Sequence, residues 1–332
     1  MKALVTGGNG FLGQRIVELL TDSGHEVVTF ARSEAPTSIA NRGTHIRGDL
    51  RDANALPQAL KNVDVVFHVA SKTGYWGARE EYVSINVDGA RNLLQAARDA
   101  GVGRFIYTST PSVIGYERDA EGIAEAPYPE RWESLYGETK AKAEQLVLAA
   151  NSQTLRTVAL RPHLVFGPRD NHLLPRVVAR ARSGRLVQVG DGLNRVDMTD
   201  VDNAAWAHLD AANALASAPN ACAGRAYFIS NGEPVLLWPW TQQLLDRLGA
   251  PRVTRTLTLS TALAIGGAME KAWTWLPLPG EPPMTRFLAS ALARHHWYDL
   301  GPAQRDLGYH VRVSMEAGLD RVVHWMRSST EA

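Results

Sequence analysis

Thr6-Gly7-Gly8-Asn9-Gly10-Phe11-Leu12-Gly13 follows a short β-rich run, Ala3 to Thr6, and opens a helical pattern with Phe11, Leu12, Ile16, Leu19 and Leu20 on one face, closed by Gly24. A strand, a Gly-rich turn and a helix in register mark the start of a dinucleotide-binding unit. The physical need is plain. A pyrophosphate must approach backbone N–H groups at a helix N-terminus, and side chains at Gly7 or Gly10 would hold it off, while Gly13 lets the helix lie close to the strand. Gly8, Gly10 and Gly13 satisfy a GxGxxG spacing, and Gly7, Gly10 and Gly13 satisfy GxxGxxG.

Outward from this turn, β-rich runs alternate with helical patterns as far as residue 165. The strands are predicted at Ala3 to Thr6, Val27 to Ala31, His45 to Arg47, Val65 to Ala70, Phe105 to Thr108 and Thr157 to Leu160. The alternation predicts an α/β fold: a doubly wound parallel sheet of Rossmann type with a smaller mixed C-terminal substrate region. Residues 1–162 are the expected dinucleotide-binding domain, with a segment near 195–230 returning to it, and 163–332 are mainly substrate-binding. A helix over Asn203 to Leu215 belongs to that return. The polar end, Arg327 to Ala332, is expected to fray.

Composition bounds the function. The chain has 332 residues, 35 Lys and Arg against 34 Asp and Glu, and one Cys. Cys222 alone rules out a disulfide framework or a Cys-rich zinc site and points to a reducing, cytoplasmic setting. A net charge of +1 gives no reason to expect nucleic acid as a partner. The most apolar window, Leu257 to Trp275, is broken by Gly266-Gly267 and by Glu270-Lys271, so no transmembrane segment is predicted. Asp197 to Asp202 lacks the Gly and Glu of a calcium loop, and His295-His296 lack companions, so no metal is expected.

Two places carry chemistry. The second predicted strand ends Ala31-Arg32-Ser33, with no acidic residue to accept ribose hydroxyls. A guanidinium at Arg32 and a hydroxyl at Ser33 suit a 2′-phosphate, which favours NADP(H) over NAD(H), although a solvated Arg at a strand end reads the same way. Further on, Tyr136-Gly137-Glu138-Thr139-Lys140 places Tyr136 and Lys140 four apart on one helical face, where an ammonium lowers the cost of a phenolate. The preceding strand carries Tyr107-Thr108-Ser109-Thr110, whose hydroxyls are candidates for binding a substrate oxygen.

With TGGNGFLG (6–13), Gly48-Asp49-Leu50, Val66 to Ser71, Asn86-Val87-Asp88-Gly89, Ile106 to Gly115, YGETK (136–140) and Arg161 to Pro168, the chain resembles the extended short-chain dehydrogenase/reductase superfamily, and within it the 3β-hydroxysteroid dehydrogenase-like group. The resemblance covers nearly the whole chain. It implies Tyr136 as general acid-base, Lys140 on the nicotinamide ribose, and Thr110, with Ser109 beside it, binding the substrate oxygen. It also implies a cofactor cleft lined by Gly7, Gly10, Phe11, Leu12, Gly13, Arg32, Ser33, Asp49, Leu50, Ala70 and Ser71, with Asn86 supporting the site and Pro162 and Val165 flanking the nicotinamide. His163 is either a packed histidine or a substrate contact. The group often forms homodimers through helices that correspond here to Glu80–Ala100 and Ser134–Ala150.

Within the superfamily, Pro111-Ser112 after Thr110 speaks against dehydration, because dehydratases place an acidic pair there. Segments DNHLLPR (170–176), ARARSGRL (179–186), VGDG (189–192), AYFISNGEP (226–234), PGEPPMTRFL (279–288) and HWY (296–298) resemble one branch, the NADPH-dependent reductases of 2-alkyl-3-oxo acids in bacterial olefin biosynthesis. Alternatives are a 3β-hydroxysteroid dehydrogenase, a sugar-nucleotide epimerase and a non-catalytic NADP(H)-binding subunit. A two-chain lipid needs an apolar channel, for which Trp238, Trp240, Ile265, Met269, Trp273, Trp275, Leu276 and Phe287 are the expected lid. The same residues read equally as the small domain's own core or, less well, as a membrane-facing surface. The substrate carboxylate needs a partner, and the candidates are Lys72, Arg169, Asn171, His172 and Arg195.

Overall fold

The structure is a computed structural model that describes residues 1–276 and 278–328. The end of the polar tail named above, residues 329–332, lies outside the described residues.

Seven strands form one parallel sheet: β1 (Lys2–Thr6), β2 (Glu26–Ala31), β3 (Thr44–Arg47), β4 (Val65–His68), β5 (Arg104–Thr108), β6 (Arg156–Pro162) and β7 (Arg225–Ile229). Their order is β7-β6-β5-β4-β1-β2-β3. The order reverses between β1 and β4, and ligands of such sheets bind in the crevice beyond the strand ends at that switch point. The Gly-rich turn leaves β1 there. All six predicted strands are present. The seventh, Arg225–Ile229, was not among them; it is bounded by Gly224 and Asn231-Gly232 and lies beside β6, buried from Tyr227 to Ile229.

Helices cover both faces. On one, α1 (Phe11–Asp22) buries Leu12, Ile16, Val17, Leu19 and Leu20 against α5 (Val201–Ser217). The α5 helix presents Ala204, Ala205, Ala207, Ala211 and Ala212, all fully buried, small residues that let it settle onto both sheet and α1. On the other, α2 (Gly89–Asp99) and α3 (Leu135–Ala149) bury Leu93, Leu94, Ala97, Ala143 and Val147 with Leu4, Val66 and Phe105 of the strands. Each fully buried Leu or Val contributes about 1.5–3 kcal/mol.

A third core lies beyond the strand ends. It joins α4 (Leu174–Arg182), α6 (Leu237–Arg247) and the helix Met315–Ser328 through Phe166, Val178, Met198, Trp240, Leu244 and Leu319. Two more helices, α7 (Leu259–Trp275) and α8 (Arg286–Ala293), stack on each other: a Cβ at Gly266 would come 2.6 Å from the Thr285 backbone. Short strands tie this region to the first half, Ala120–Ile123 pairing with His296–Tyr298, which pairs in turn with Arg195–Val196. Among the described residues no helix is long and apolar enough to cross a membrane.

Candidate active site

The Gly-rich turn is drawn tight enough to exclude side chains. Gly7 sits at φ +68°, and a Cβ there would lie 2.8 Å from the Ala70 backbone; a Cβ on Gly13 would lie 2.1 Å from the Gly7 carbonyl oxygen. Gly10 caps α1 in an extended conformation without any side-chain hydrogen bond, so the helix N-terminus faces outward uncapped. Asn9 anchors the turn by donating to Ser33 O (2.7 Å), Ser33 Oγ (3.1 Å) and Glu34 O (3.0 Å). A glycine cradle against an open helix N-terminus fits a dinucleotide pyrophosphate. Gly7, Gly10, Phe11, Leu12 and Gly13 surround it, with Ala70 and Ser71 opposite at the end of β4.

The loop after β2 would face the adenosine. Arg32 and Ser33 are exposed there, and the Arg32 guanidinium makes no ion pair or hydrogen bond among the described residues. Asp49 is held by Arg51, whose guanidinium pulls the carboxyl below its ordinary range. Leu50 is buried against Gly89.

At the other end, Ser134 caps α3 by accepting from Gly137 N at 3.1 Å and so fixes Tyr136 in the first turn. Lys140, 2 % exposed, donates from Nζ to Thr108 O at 2.6 Å and lies 4.1 Å from the Tyr107 ring centroid. Burial brings its pKa down to about 7. Burial raises the Tyr136 phenol, partly offset by the Thr110 hydroxyl beside it. A phenol so raised is held in its protonated form at neutral pH, able to donate a proton.

The structure brings Tyr136 and Thr110 together on one cavity of about 210 Å³ and leaves Ser109 out of it. The Ser109 hydroxyl is buried without a hydrogen-bond partner among the described residues, while its N–H donates to Leu160 O at 2.6 Å and extends the pairing of β5 with β6. Asn86 sits on a wide π turn (Val83–Asp88), donates to Lys72 O (3.1 Å) and Thr139 Oγ1 (3.0 Å), and accepts from Lys72 N (2.7 Å), bracing the strand-end loop against α3. Pro162 ends β6, and Val165 begins a two-residue strand beside Thr199–Asp200. Between them Leu164 is held at φ +39°, a strained position on the cavity wall.

His163 also lines the cavity, bonded to a residue the sequence reading had set aside. Its Nε2 lies 2.6 Å from His296 Nδ1, and His296 Nε2 lies 2.7 Å from Ala291 O. A carbonyl only accepts, so His296 carries its proton on Nε2 and His163 donates from Nε2. Burial keeps both rings neutral, His296 at about 4 and His163 well below its ordinary value.

The remaining walls are mostly apolar: Leu173 before α4 with Leu174 and Val177 in it, Leu237, Trp238, Trp240 and Leu244 beside Thr241 from α6, and Phe287, Leu288 and Leu292 from α8. Of the expected lid, Trp238, Trp240 and Phe287 border the cavity. Ile265, Met269, Trp273, Trp275 and Leu276 do not, because α7 packs on the outer side of α8; Trp275 is 80 % exposed. The candidate carboxylate partners also lie outside it. Lys72 pairs with Glu81 at 2.8 Å, Arg169 is bound by Glu18, and Asn171, His172 and Arg195 are surface residues. Among the described residues no group of three or more His, Cys, Asp or Glu is placed to hold a metal.

The model of the 3-beta hydroxysteroid dehydrogenase/isomerase family matches residues 4–259. The chain belongs to this family. It is therefore an oxidoreductase working on a hydroxyl or carbonyl with a nicotinamide cofactor, in agreement with the cradle and the Tyr136–Lys140 pair. It is 50 % identical over 325 residues to 2-alkyl-3-oxoalkanoate reductase of Stenotrophomonas maltophilia, covering 97 % of this chain and 98 % of that one. It is 33 % identical over 328 residues to mouse (Mus musculus) sterol-4-alpha-carboxylate 3-dehydrogenase, decarboxylating, covering 97 % and 90 %. Among solved structures it is similar to MoeE5 in complex with UDP-glucose and NAD, with TM-score 0.76 and 29 % identity over 99 % of this chain and 100 % of that one.

The sequence reading missed Ser112, Tyr116, Tyr75 and His296, all of which line the cavity. The run Thr110 to Gly115 signalled the first two by adjacency. Tyr75 comes from a distant segment and carries no local signal; His296 stands in the HWY segment (296–298), which was weighed as a resemblance and as a metal ligand but not as a cavity residue.

Proposed function

We propose that this protein reduces the 3-oxo group of a long-chain 2-alkyl-3-oxo acid to the 3-hydroxy acid with NADPH. The observation that carries the reading is the cavity at Tyr136 and Thr110, whose outer walls are Leu, Val, Trp and Phe. Such walls suit alkyl chains and offer little to the polar groups of a sugar nucleotide. The bound nicotinamide would supply the hydride. Thr110 would hold the carbonyl oxygen, Tyr136 would give it a proton as negative charge develops, and Lys140 would hold the ribose beside the phenol. The unpaired Arg32 supports a 2′-phosphate and so NADP(H). The dimer that the family forms through the helices near Glu80–Ala100 and Ser134–Ala150 belongs to the same proposal.

Incubation of the protein with NADPH and a 2-alkyl-3-oxo acid, followed by mass spectrometry, tests the reading. A product two mass units heavier, formed with matching loss of NADPH, is the expected outcome. Unchanged oxo acid, or only the ketone it forms by loss of CO2, with intact NADPH would refute it.

A further inference from the structure

A 3-oxo acid brings a carboxylate to within two carbons of the reacting centre, yet the cavity holds no cationic side chain among the described residues. His163 and His296 are neutral there. The wall next to Thr110 carries hydroxyls instead. Thr110 Oγ1 donates to Ser112 Oγ at 3.2 Å, and Ser112 Oγ lies 3.4 Å from Tyr116 OH. Ser112 is fixed by its N–H, which donates to Thr110 Oγ1 at 3.2 Å. Tyr116 is fixed by its N–H to Glu133 Oε2 at 3.2 Å and by rings on two sides, Phe287 at 5.3 Å and His296 at 5.0 Å between centroids.

The spacing matches the ligand. With ordinary bond lengths, the oxygens of a 3-oxo acid lie about 3–4.5 Å apart along the O=C–C–C=O path. An oxygen seated at Thr110 and Tyr136 therefore places the carboxylate one step along the hydroxyl row. We propose that Ser112 Oγ and Tyr116 OH bind the substrate carboxylate as neutral donors, and that this pair selects acids carrying the carboxylate next to the carbon beside the reacting one. The inference rests on the reading in the preceding subsection and names how that substrate is recognised. Hydroxyl donors to a carboxylate make short, charge-assisted bonds, so two of them replace the missing cation. The two curated relatives act, by their names, on a 3-oxoalkanoate and at position 3 of a sterol 4-carboxylate, which share this separation of oxygen and carboxylate.

The test compares two alcohols in the oxidative direction with NADP⁺: a 2-alkyl-3-hydroxy acid and the secondary alcohol of equal chain length without the carboxyl group. The readout is the ratio of kcat/KM for acid over alcohol. Tyr116→Phe keeps the ring and removes the hydroxyl, and the ratio is expected to fall about tenfold, the scale of one lost hydrogen bond to a charged group. Ser112→Ala is the second variant, with the same expectation, and cofactor binding by nicotinamide fluorescence verifies that each variant is folded. An unchanged ratio in both folded variants would overturn the inference while wild-type turnover of the acid left the parent reading standing. Absence of wild-type turnover with the acid would overturn both.

Discussion

Lys140 donates from Nζ to the carbonyl oxygen of Thr108 at 2.6 Å, tying the helix that carries Tyr136 to the strand end that leads to Thr110. The bond fixes the ammonium in a place where burial opposes its charge and lowers its pKa to about 7. Because the unfolded value is near 10.5, the unfolded chain holds a proton between pH 7 and 10.5 that the folded chain has given up. Stability from this group therefore rises with pH across that window, and the penalty is fully present below about 7. Lys140→Met should abolish activity yet melt above wild type at pH 6, with the difference shrinking towards pH 10. Thermal melts of both proteins across this range test the sign; a variant that is less stable at pH 6 would contradict it.

Tyr136→Phe should lower kcat by about 10²–10⁴-fold, the usual weight of a positioned acid. The ring and its packing remain, so the dissociation constant of NADPH should change by less than about threefold. Stopped-flow hydride transfer and fluorescence titration separate the two effects. Retention of most of the activity would remove Tyr136 from the proton step.

Arg32 stands exposed beside Ser33 at the expected adenosine end, its guanidinium without an ion pair among the described residues. Arg32→Ser should raise KM for NADP⁺ at least tenfold and leave KM for NAD⁺ nearly constant, since only the former carries the 2′-phosphate. Equal changes for both cofactors would assign Arg32 a structural role.

Acid should unfold the protein early. Burial holds His68 at about 3, His208 and His296 at about 4, and His163 well below its ordinary value. As pH falls below 6.5, the unfolded chain takes up protons that these rings refuse, and each costs about 1.4 kcal/mol per pH unit. Asp197 and Asp200, raised by burial to about 6, work the other way between 6 and 3.8, where the folded chain binds protons first. Glu133 and Asp210 are raised by burial as well and His25 is lowered, so four carboxyls oppose five histidines, whose unfolded-chain proton uptake starts higher, at 6.5, and the net between pH 7 and 5 is a loss. Urea midpoints at pH 7, 6 and 5 should fall in that order, and a midpoint that climbs towards pH 5 would contradict the balance.

Much of this was legible in the residues, for physical reasons. The turn at Gly7 to Gly13 is largely local: Gly10 and Gly13 answer the Gly7 carbonyl and Gly7 a positive φ, so spacing suffices to place the cradle, although the close approach of Gly7 to Ala70 is not visible in the turn itself. Tyr136 and Lys140 share a helix face by periodicity alone. The β7 strand at Arg225 to Ile229 was harder to see, because its place is set by pairing with Arg156 to Pro162 and not by its own pattern. The lid was half legible. Trp238 and Phe287 face the cavity and Trp275 faces outward, although all three are large and apolar, and only the stacking of α7 on α8 separates them. His163 and His296 are 133 positions apart and meet through strand pairing near Val196, which no local signal foretells.

The most direct measurement of the central claim is the initial rate of NADP⁺ and NAD⁺ reduction, followed by nicotinamide absorbance, with a long-chain 2-alkyl-3-hydroxy acid and with a 3β-hydroxysteroid. The oxidative direction avoids 3-oxo acids that decarboxylate during the assay. Turnover of the acid with preference for NADP⁺, well above that of the steroid, is the predicted result. Turnover of the steroid with none of the acid would contradict the account.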